Sequence, residues 1–408
     1  MTGVHVRGAC PSLPAPMETG DGLLVRLVVN APIPLDDFIG LCAASRTHGN
    51  GTMEVSGRGS IQVRGLTPLS APRFAAALAA LAIDIDDGVP VLADPLPDDP
   101  ASLINANRLA AQLRAAIAGA GLTLAPKVAV VVDGGGRIDL DAVAADIRLR
   151  AIMSDEGPKF ELALAGNADT ALPIATIAVE DAIGEVLTLL RAIAALGEDA
   201  RANELAISRT LHPRLAPRQS QRAHPIGRHP LNGQLFALGL GLAFGHADAG
   251  ALIELADIAK GNGARCVRPA PDRALLFGPL GEGGAETLRV AAARLGFITD
   301  ASDPRRRIAA CPGAPFCAHG LIAARAFAAE IAQQLSLPGD GIAVHVSGCA
   351  KGCAHPKRAP LTIVGTEHGC GVVRGGSARD RPTAYADPAD LAALLDRIAV
   401  KTRETAHA

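Results

Sequence analysis

The chain has 408 residues, enough for two to four domains with substantial cores, and 49% of them are hydrophobic against 20% charged. A net charge of −2, a single Tyr and no Trp exclude a general attraction to nucleic acid or anionic membranes and leave no row of base-stacking rings. No apolar run reaches transmembrane length and residues 1–22 lack the apolar segment of a secretion signal, so a cytoplasmic protein with reduced thiols is expected.

Residues 1–22 read as an extended N-terminal arm. A first unit over 23–87 follows. It has a strand over 23–30, then a helix over 35–46 with Asp36 and Asp37 in its first turn, where the helix dipole favours them. The turn Gly49-Asn50-Gly51 leads to short strands over 52–56 and 60–64, with a tight bend at Gly57-Arg58-Gly59, and then to a helix over 71–82. Residues 88–100, with four prolines and three aspartates, read as a linker.

The unit over 101–200 opens with a helix over 101–118, punctuated by Gly119 and Gly121. A β-branched strand over 128–132 follows. Gly134-Gly135-Gly136 is expected to turn it into a hairpin with 137–140. Further strands are expected over 147–153, 159–165 and 173–179, then a helix over 182–196. The connector 201–230 holds six arginines against one carboxylate, Glu204. It is either a solvated basic linker or a source of arginines for an anion site.

From 231 to 297 the first pattern returns: a strand over 235–243, a helix over 247–260, Gly261-Asn262-Gly263, and short strands over 264–268 and 274–277. The repeated order is an internal repeat, and neither copy can bury its apolar face alone. The expected fold class is α+β. It comprises two repeats, each a ferredoxin-like half-domain followed by an α/β segment, paired around a pseudo-two-fold axis.

The last unit, 301–408, carries Cys311-x5-Cys317 and Cys349-x3-Cys353, half of the chain's 8 cysteines. Two thiolate pairs are a ligand set for a cubane iron–sulfur cluster or for zinc. The wide first loop, with two prolines, suits a bulky cluster better than a zinc knuckle. Gly313 and Gly352 let backbone approach the metal. A helical stretch over 321–335 follows Cys317, and a strand over 342–347 delivers Cys349. Lys351, Lys357 and Arg358 add positive charge. Cys10, Cys42, Cys266 and Cys370 are scattered and read as small buried or surface thiols.

The cysteine arrangement resembles the cluster motif of the sulfite and nitrite reductase superfamily. Within it, His345-Val346-Ser347-Gly348-Cys349-Ala350-Lys351-Gly352-Cys353-Ala354-His355-Pro356 is similar to the precorrin-3B synthase branch. Pro225-Ile226-Gly227-Arg228-His229-Pro230 and Gly241-Leu242-Ala243-Phe244-Gly245-His246 are also similar to that branch. The resemblance and the repeat together cover nearly the whole chain.

The resemblance implies a 4Fe-4S cluster on Cys311, Cys317, Cys349 and Cys353, and a tetrapyrrole cleft where the halves meet. Arg58 falls on the arginine of the superfamily's Asn-Arg-Gln signature, Lys127 on the first of its paired lysines, and Arg26 on a basic position of the first strand. All three are expected to hold substrate carboxylates. Gly59 and Ala129 depart from the signature's glutamine and second lysine, which leaves an oxyanion reductase short of polar and positive groups. Sirohaem is therefore not expected.

The implied activity is oxygen-dependent hydroxylation and lactone formation on precorrin-3A in aerobic cobalamin biosynthesis, by an oxidoreductase of monooxygenase type. The branch also implies a mononuclear non-haem iron. His48, His229, His246 and His355 are candidates for its ligands by position, and His246-Ala247-Asp248 is the only His-x-Asp pair, but no iron ligand is assigned. The chain has no dinucleotide fingerprint, so a separate NAD(P)H-dependent reductase or ferredoxin is expected as electron donor. Two other readings stay open. One is a sirohaem-dependent sulfite or nitrite reductase. The other is a non-catalytic cluster protein that carries electrons or senses redox state, or a zinc-stapled scaffold.

Overall fold

The computed structural model of the chain describes residues 11–85, 88–97, 99–206, 223–334, 337, 341–387 and 390. Four five-stranded sheets organise them. The first, all antiparallel, runs Met17–Thr19, Gly22–Leu27, Ile61–Leu66, Thr52–Val55 and then His246–Asp248 from the other end of the chain. A second antiparallel sheet runs Gly227–Pro230, Phe236–Gly241, Ala274–Leu280, Cys266–Ala270 and then Ile33–Pro34. Each half-domain thus lends the other its last strand. In both, the lent strand immediately precedes the helix that follows, Leu35–His48 or Ala249–Gly261.

The exchange lets one apolar core serve both halves. Leu27, Phe38, Leu41, Ile61 and Val63 share it with Leu240, Leu252, Leu255, Val267 and Phe277. Phe38 of the first half and Phe277 of the second meet edge to face at 6.5 Å. The two copies are therefore ferredoxin-like halves that pair with each other, as the repeat predicts.

The two α/β segments also share one topology. Val91–Ala93, Val130–Asp133 and Ala145–Ser154 lie parallel, and Gly157–Gly166 and Leu172–Ile177 continue antiparallel. In the second segment Ile308–Ala310, Val344–Ser347 and Ala359–Thr366 lie parallel, followed by Gly369–Gly376 and Ala384–Ala386. Each segment has its own core.

Several elements differ from the sequence reading. Part of the expected arm is the edge strand Met17–Thr19, folded back on Gly22–Leu27. The expected linker contains Val91–Ala93, an edge strand short enough for its flanking prolines. The next helix starts at Ala106, because Asp99 accepts the N–H of Ala101 (2.9 Å) and holds 99–102 in a turn. Asn105 then caps the helix through the N–H of Arg108 (2.9 Å).

Residues 137–140 form no strand. Val130–Asp133 pairs in parallel with Ala145–Ser154, and a parallel partner cannot be reached by a tight hairpin. Helix Ala324–Gln334 begins after a loop over 321–323. In the basic connector, Ala202–Ala206 is a short helix and Gly227–Pro230 an edge strand. Arg209, Arg214, Arg218 and Arg222 lie outside the described residues, as does Cys10. Cys42 and Cys370 are buried and Cys266 half-buried, and burial pushes the Cys370 thiol up to about 11.

Candidate functional site

A cavity of about 740 Å³ lies between the first antiparallel sheet and the first α/β segment, within the range of roughly 300–1,000 Å³ found for small-molecule sites. Arg26 and Arg58 face it from the sheet, and Lys127 and Arg201 from the segment. Leu92, Leu122, Leu124 and Val128 form an apolar wall. No Asp or Glu lines it among the described residues. The structure thus brings Arg58, Lys127 and Arg26 to one cavity. Its walls come chiefly from the first half, and the second half reaches it through Pro356, just beyond Cys353.

The cations are held differently. Arg58 sits at the exposed tip of the Gly57-Arg58-Gly59 hairpin and Lys127 on an exposed loop. Arg201 is clamped by Asp146 through two contacts of 2.8 Å. Arg26 donates from Nε (3.0 Å) and Nη2 (2.9 Å) to the Gln62 amide oxygen, with the amide oriented so that its nitrogen donates to Glu54 Oε2 (2.9 Å). Glu54 also accepts from Arg64 Nε (2.9 Å), and Arg64 Nη1 reaches Asp21 (2.9 Å). Burial works against the Arg64 charge, but Glu54 and Asp21 outweigh it and hold its pKa above the usual value. Arg325 Nη2 lies 3.9 Å from Glu54.

This buried chain runs from the cavity towards the cysteines. The thiolate of Cys353 acts on Arg64, and that of Cys311 on Arg325. The Nε and Nη2 of Arg325 and the Nδ1 of His246 are buried without a hydrogen-bond partner. Burial first, and then the Arg325 charge, push His246 down to about 3. Arg64, Glu54 and Arg325 were missed by sequence reasoning. A basic residue two positions after Gln62 was the only local signal.

The four cysteines stand within electrostatic reach of one another. Burial raises the Cys311 thiol, the N–H groups of Gly348 and Gly313 oppose that, and Cys349 and Cys317 raise it further. Cys353 is raised by desolvation first, then by Cys311 and Cys349. The Gly348 N–H donates to Cys311 Sγ at 3.0 Å. A Cβ on Gly348 would lie 2.9 Å from Gly313 Cα and 3.3 Å from Gly320 Cα, so only glycine allows these loops to close around the thiols.

Among the described residues no three His, Cys, Asp or Glu groups are drawn together as ligands of one ion. Four thiols, with the N–H groups of Gly348 and Gly313 directed at Cys311 and the Arg325 charge acting on Cys311, are a donor set that suits a net-negative iron–sulfur cluster. The residues present therefore fit a 4Fe-4S cluster.

No ligand set for a mononuclear iron is assigned among the described residues. Asp248 caps helix Ala249–Gly261 by accepting from Gly250 (2.8 Å) and Ala251 (3.3 Å). His229 is buried and donates from Nε2 to the Pro225 carbonyl (3.0 Å). His48 ends helix Leu35–His48, and His355 packs against His345 with ring centres 5.8 Å apart. The four candidate histidines are not assembled around one point.

Residues 15–81 match the nitrite/sulfite reductase ferredoxin-like half domain. The structure of the Mycobacterium tuberculosis NirA protein superposes with a TM-score of 0.64 at 18% identity, covering 92% of this chain and 80% of that one. The chain thus has the fold of the nitrite/sulfite reductases, with their ferredoxin-like half domain. The chain is also 37% identical over 413 aligned positions, 98% of its length and 90% of the relative's, to a precorrin-3B synthase of Sinorhizobium sp. It belongs to the precorrin-3B synthase family. No helix among the described residues is long and apolar enough to cross a membrane.

Proposed function

We propose that this chain inserts one oxygen atom from dioxygen into precorrin-3A, hydroxylating the meso carbon between rings A and D and closing a lactone with the ring A acetate. The observation that supports this best is the cavity: apolar walls, four cations, no carboxylate among the described lining residues, and a border on the cysteine loop at Pro356. Such a lining suits a large apolar ring fringed with carboxylates. The tetrapyrrole is then the substrate, and sirohaem has no place to sit beside it. On this reading the protein acts in the cytoplasm, on the aerobic route to cobalamin.

Arg58 and Lys127 would hold peripheral carboxylates from the cavity mouth, Arg58 with a bidentate fork and Lys127 with a point charge. Arg26, fixed by Gln62, would contribute a third contact of defined direction. Leu92, Leu122, Leu124 and Val128 would cover the ring and exclude water. Cys311, Cys317, Cys349 and Cys353 would hold the cluster. When bound, it supplies electrons one at a time, drawn from a separate NAD(P)H-dependent reductase or ferredoxin. Arg64 and Arg325 place positive charge beside the thiolates and would favour the reduced, more negative state.

The test is anaerobic purification with absorption and EPR spectroscopy, followed by turnover of precorrin-3A under labelled dioxygen with a reductant. The expected result is cluster absorption without a sirohaem band and one labelled oxygen atom in the product. Stoichiometric sirohaem, or reduction of sulfite or nitrite without dioxygen, overturns the proposal.

A further inference from the structure

Arg26, Gln62, Glu54 and His246 stand directly opposite one another on the four neighbouring strands Gly22–Leu27, Ile61–Leu66, Thr52–Val55 and His246–Asp248. Directly opposite positions share one face of a sheet. Here it is the face turned away from the shared core, since Val25, Leu27, Ile61, Val63, Met53 and Val55 take the other. On the corresponding face of the second sheet the middle position is Leu276, opposite Gly239 and Arg268, so the fold does not require a polar residue there.

Gln62 sits between a group that only donates and a group that only accepts. Its amide therefore has one orientation, with the oxygen towards Arg26 Nε (3.0 Å) and Nη2 (2.9 Å) and the nitrogen towards Glu54 Oε2 (2.9 Å). The acceptor character of Glu54 thus decides how Arg26 is held at the cavity. The other oxygen of Glu54 serves the cysteine side. Oε1 accepts from Arg64 Nε (2.9 Å) and lies 3.9 Å from Arg325 Nη2. Arg64 continues to Asp21 (2.9 Å), and the adjacent Gly20 packs so closely on Cys317 that a Cβ there would overlap its sulfur. Arg325 follows Ala324, whose backbone nitrogen a Cβ on Gly313 would approach to 2.6 Å.

From this row we propose that Glu54 is a positioning residue with two outputs: through Gln62 it aims Arg26 into the cavity, and directly it holds Arg64 and Arg325 beside the cysteine loops. One carboxylate then sets both the grip on the macrocycle and the reduction potential of the cluster. The inference rests on the tetrapyrrole reading of the cavity and on the cluster fit of the cysteines. Its physical basis is that a carboxylate accepts at both oxygens, and that its negative charge raises the cost of adding an electron nearby.

The test uses the full-length holoprotein and two readouts. One is the titration of a stable porphyrin octacarboxylate by its visible absorption. The other is the midpoint potential of the cluster without porphyrin. Glu54→Gln keeps the size and removes the charge. Arg64, being charged, keeps the remaining oxygen, so Gln62 must turn and present its nitrogen to Arg26. Porphyrin binding should weaken about three- to tenfold, as for loss of a fixed direction in one contact, and the potential should rise. Glu54→Asp keeps the charge but not the reach, so its potential should stay near that of the parent while binding is still weakened.

Two further variants separate the outputs. Gln62→Met should weaken porphyrin binding and leave the potential where it is. Arg325→Met should lower the potential and leave porphyrin binding unchanged. A lowered Tm in Glu54→Gln with affinity and potential both unchanged would make Glu54 a purely structural residue and overturn the inference. So would a change in only one of the two readouts. If the parent protein binds no porphyrin, the reading of the cavity fails, and if it carries no iron–sulfur cluster, the cluster reading fails. The inference falls with either.

Discussion

The two α/β segments carry the same sheet and close the same loop with different chemistry. In the first, Asp94 directly follows strand Val91–Ala93, and its Oδ1 accepts the N–H of Gly134, the residue directly after Val130–Asp133, at 2.9 Å. In the second, Cys311 directly follows Ile308–Ala310, and its Sγ accepts the N–H of Gly348, the residue directly after Val344–Ser347, at 3.0 Å. Asp99 then binds the N–H groups of Ala101 (2.9 Å) and Arg137 (2.5 Å), where the second segment has Cys317. The first segment's acidic loop ends in hydrogen bonds to its own backbone. The second segment's thiols have ligand capacity left over for a metal. One scaffold has thus been closed in one copy and kept open in the other, and the closed copy supplies a wall of the cavity.

The largest expected effect separates these two closures. Replacing Cys311 with Ser should remove nearly all bound iron and the cluster absorption, whereas Asp94→Ser should leave the iron content of anaerobically prepared protein unchanged. Equal iron loss in both variants, or zinc as the only metal, would break the comparison. The cavity gives the next effect. Arg58→Ala should weaken binding of a polycarboxylate tetrapyrrole by about 1.5–3 kcal/mol, and Lys127→Ala, which removes a point charge rather than a fork, by up to about 1 kcal/mol. Unchanged affinity in both titrations would remove these residues from the site.

Stability should register the closure itself. Asp94→Ala leaves the Gly134 N–H buried and unpaired, which should cost about 1–3 kcal/mol in urea unfolding. Asp94→Asn keeps an acceptor and should cost less. A variant as stable as the parent would mean that the carboxylate does not hold the loop.

The smallest effect distinguishes the two lent strands, because His246–Asp248 carries a titrating group and Ile33–Pro34 does not. His246 stays neutral in the folded protein down to about 3, for the burial and Arg325 reasons given above, while the unfolded chain takes up the proton near 6.5. Between those values the unfolded state binds more protons, so this contribution to stability is full above about pH 6.5 and falls as the pH drops below it. His246→Gln should flatten the loss of stability between pH 7 and 5. An identical slope in parent and variant would show that His246 plays no part.

By itself, the sequence determined the repeat and the paired spacing of the cysteines, while Arg26, Arg58 and Lys127 were singled out by the resemblance to the superfamily. The first two signals are local: a recurring Gly-Asn-Gly turn between periodic segments, and thiols at fixed spacing with glycines between them. Tertiary structure alone decided what joins the halves. Ile33–Pro34 and His246–Asp248 are two and three residues long, too short for any periodicity, and they are strands only because an edge from the other half lies beside them. It also decided which arginines matter. Arg64 and Arg325 sit in runs no different from their neighbours. Their roles come from burial and from charges far away in sequence, since an arginine's electrostatics depend on what packs over its strand or helix rather than on the residues next to it.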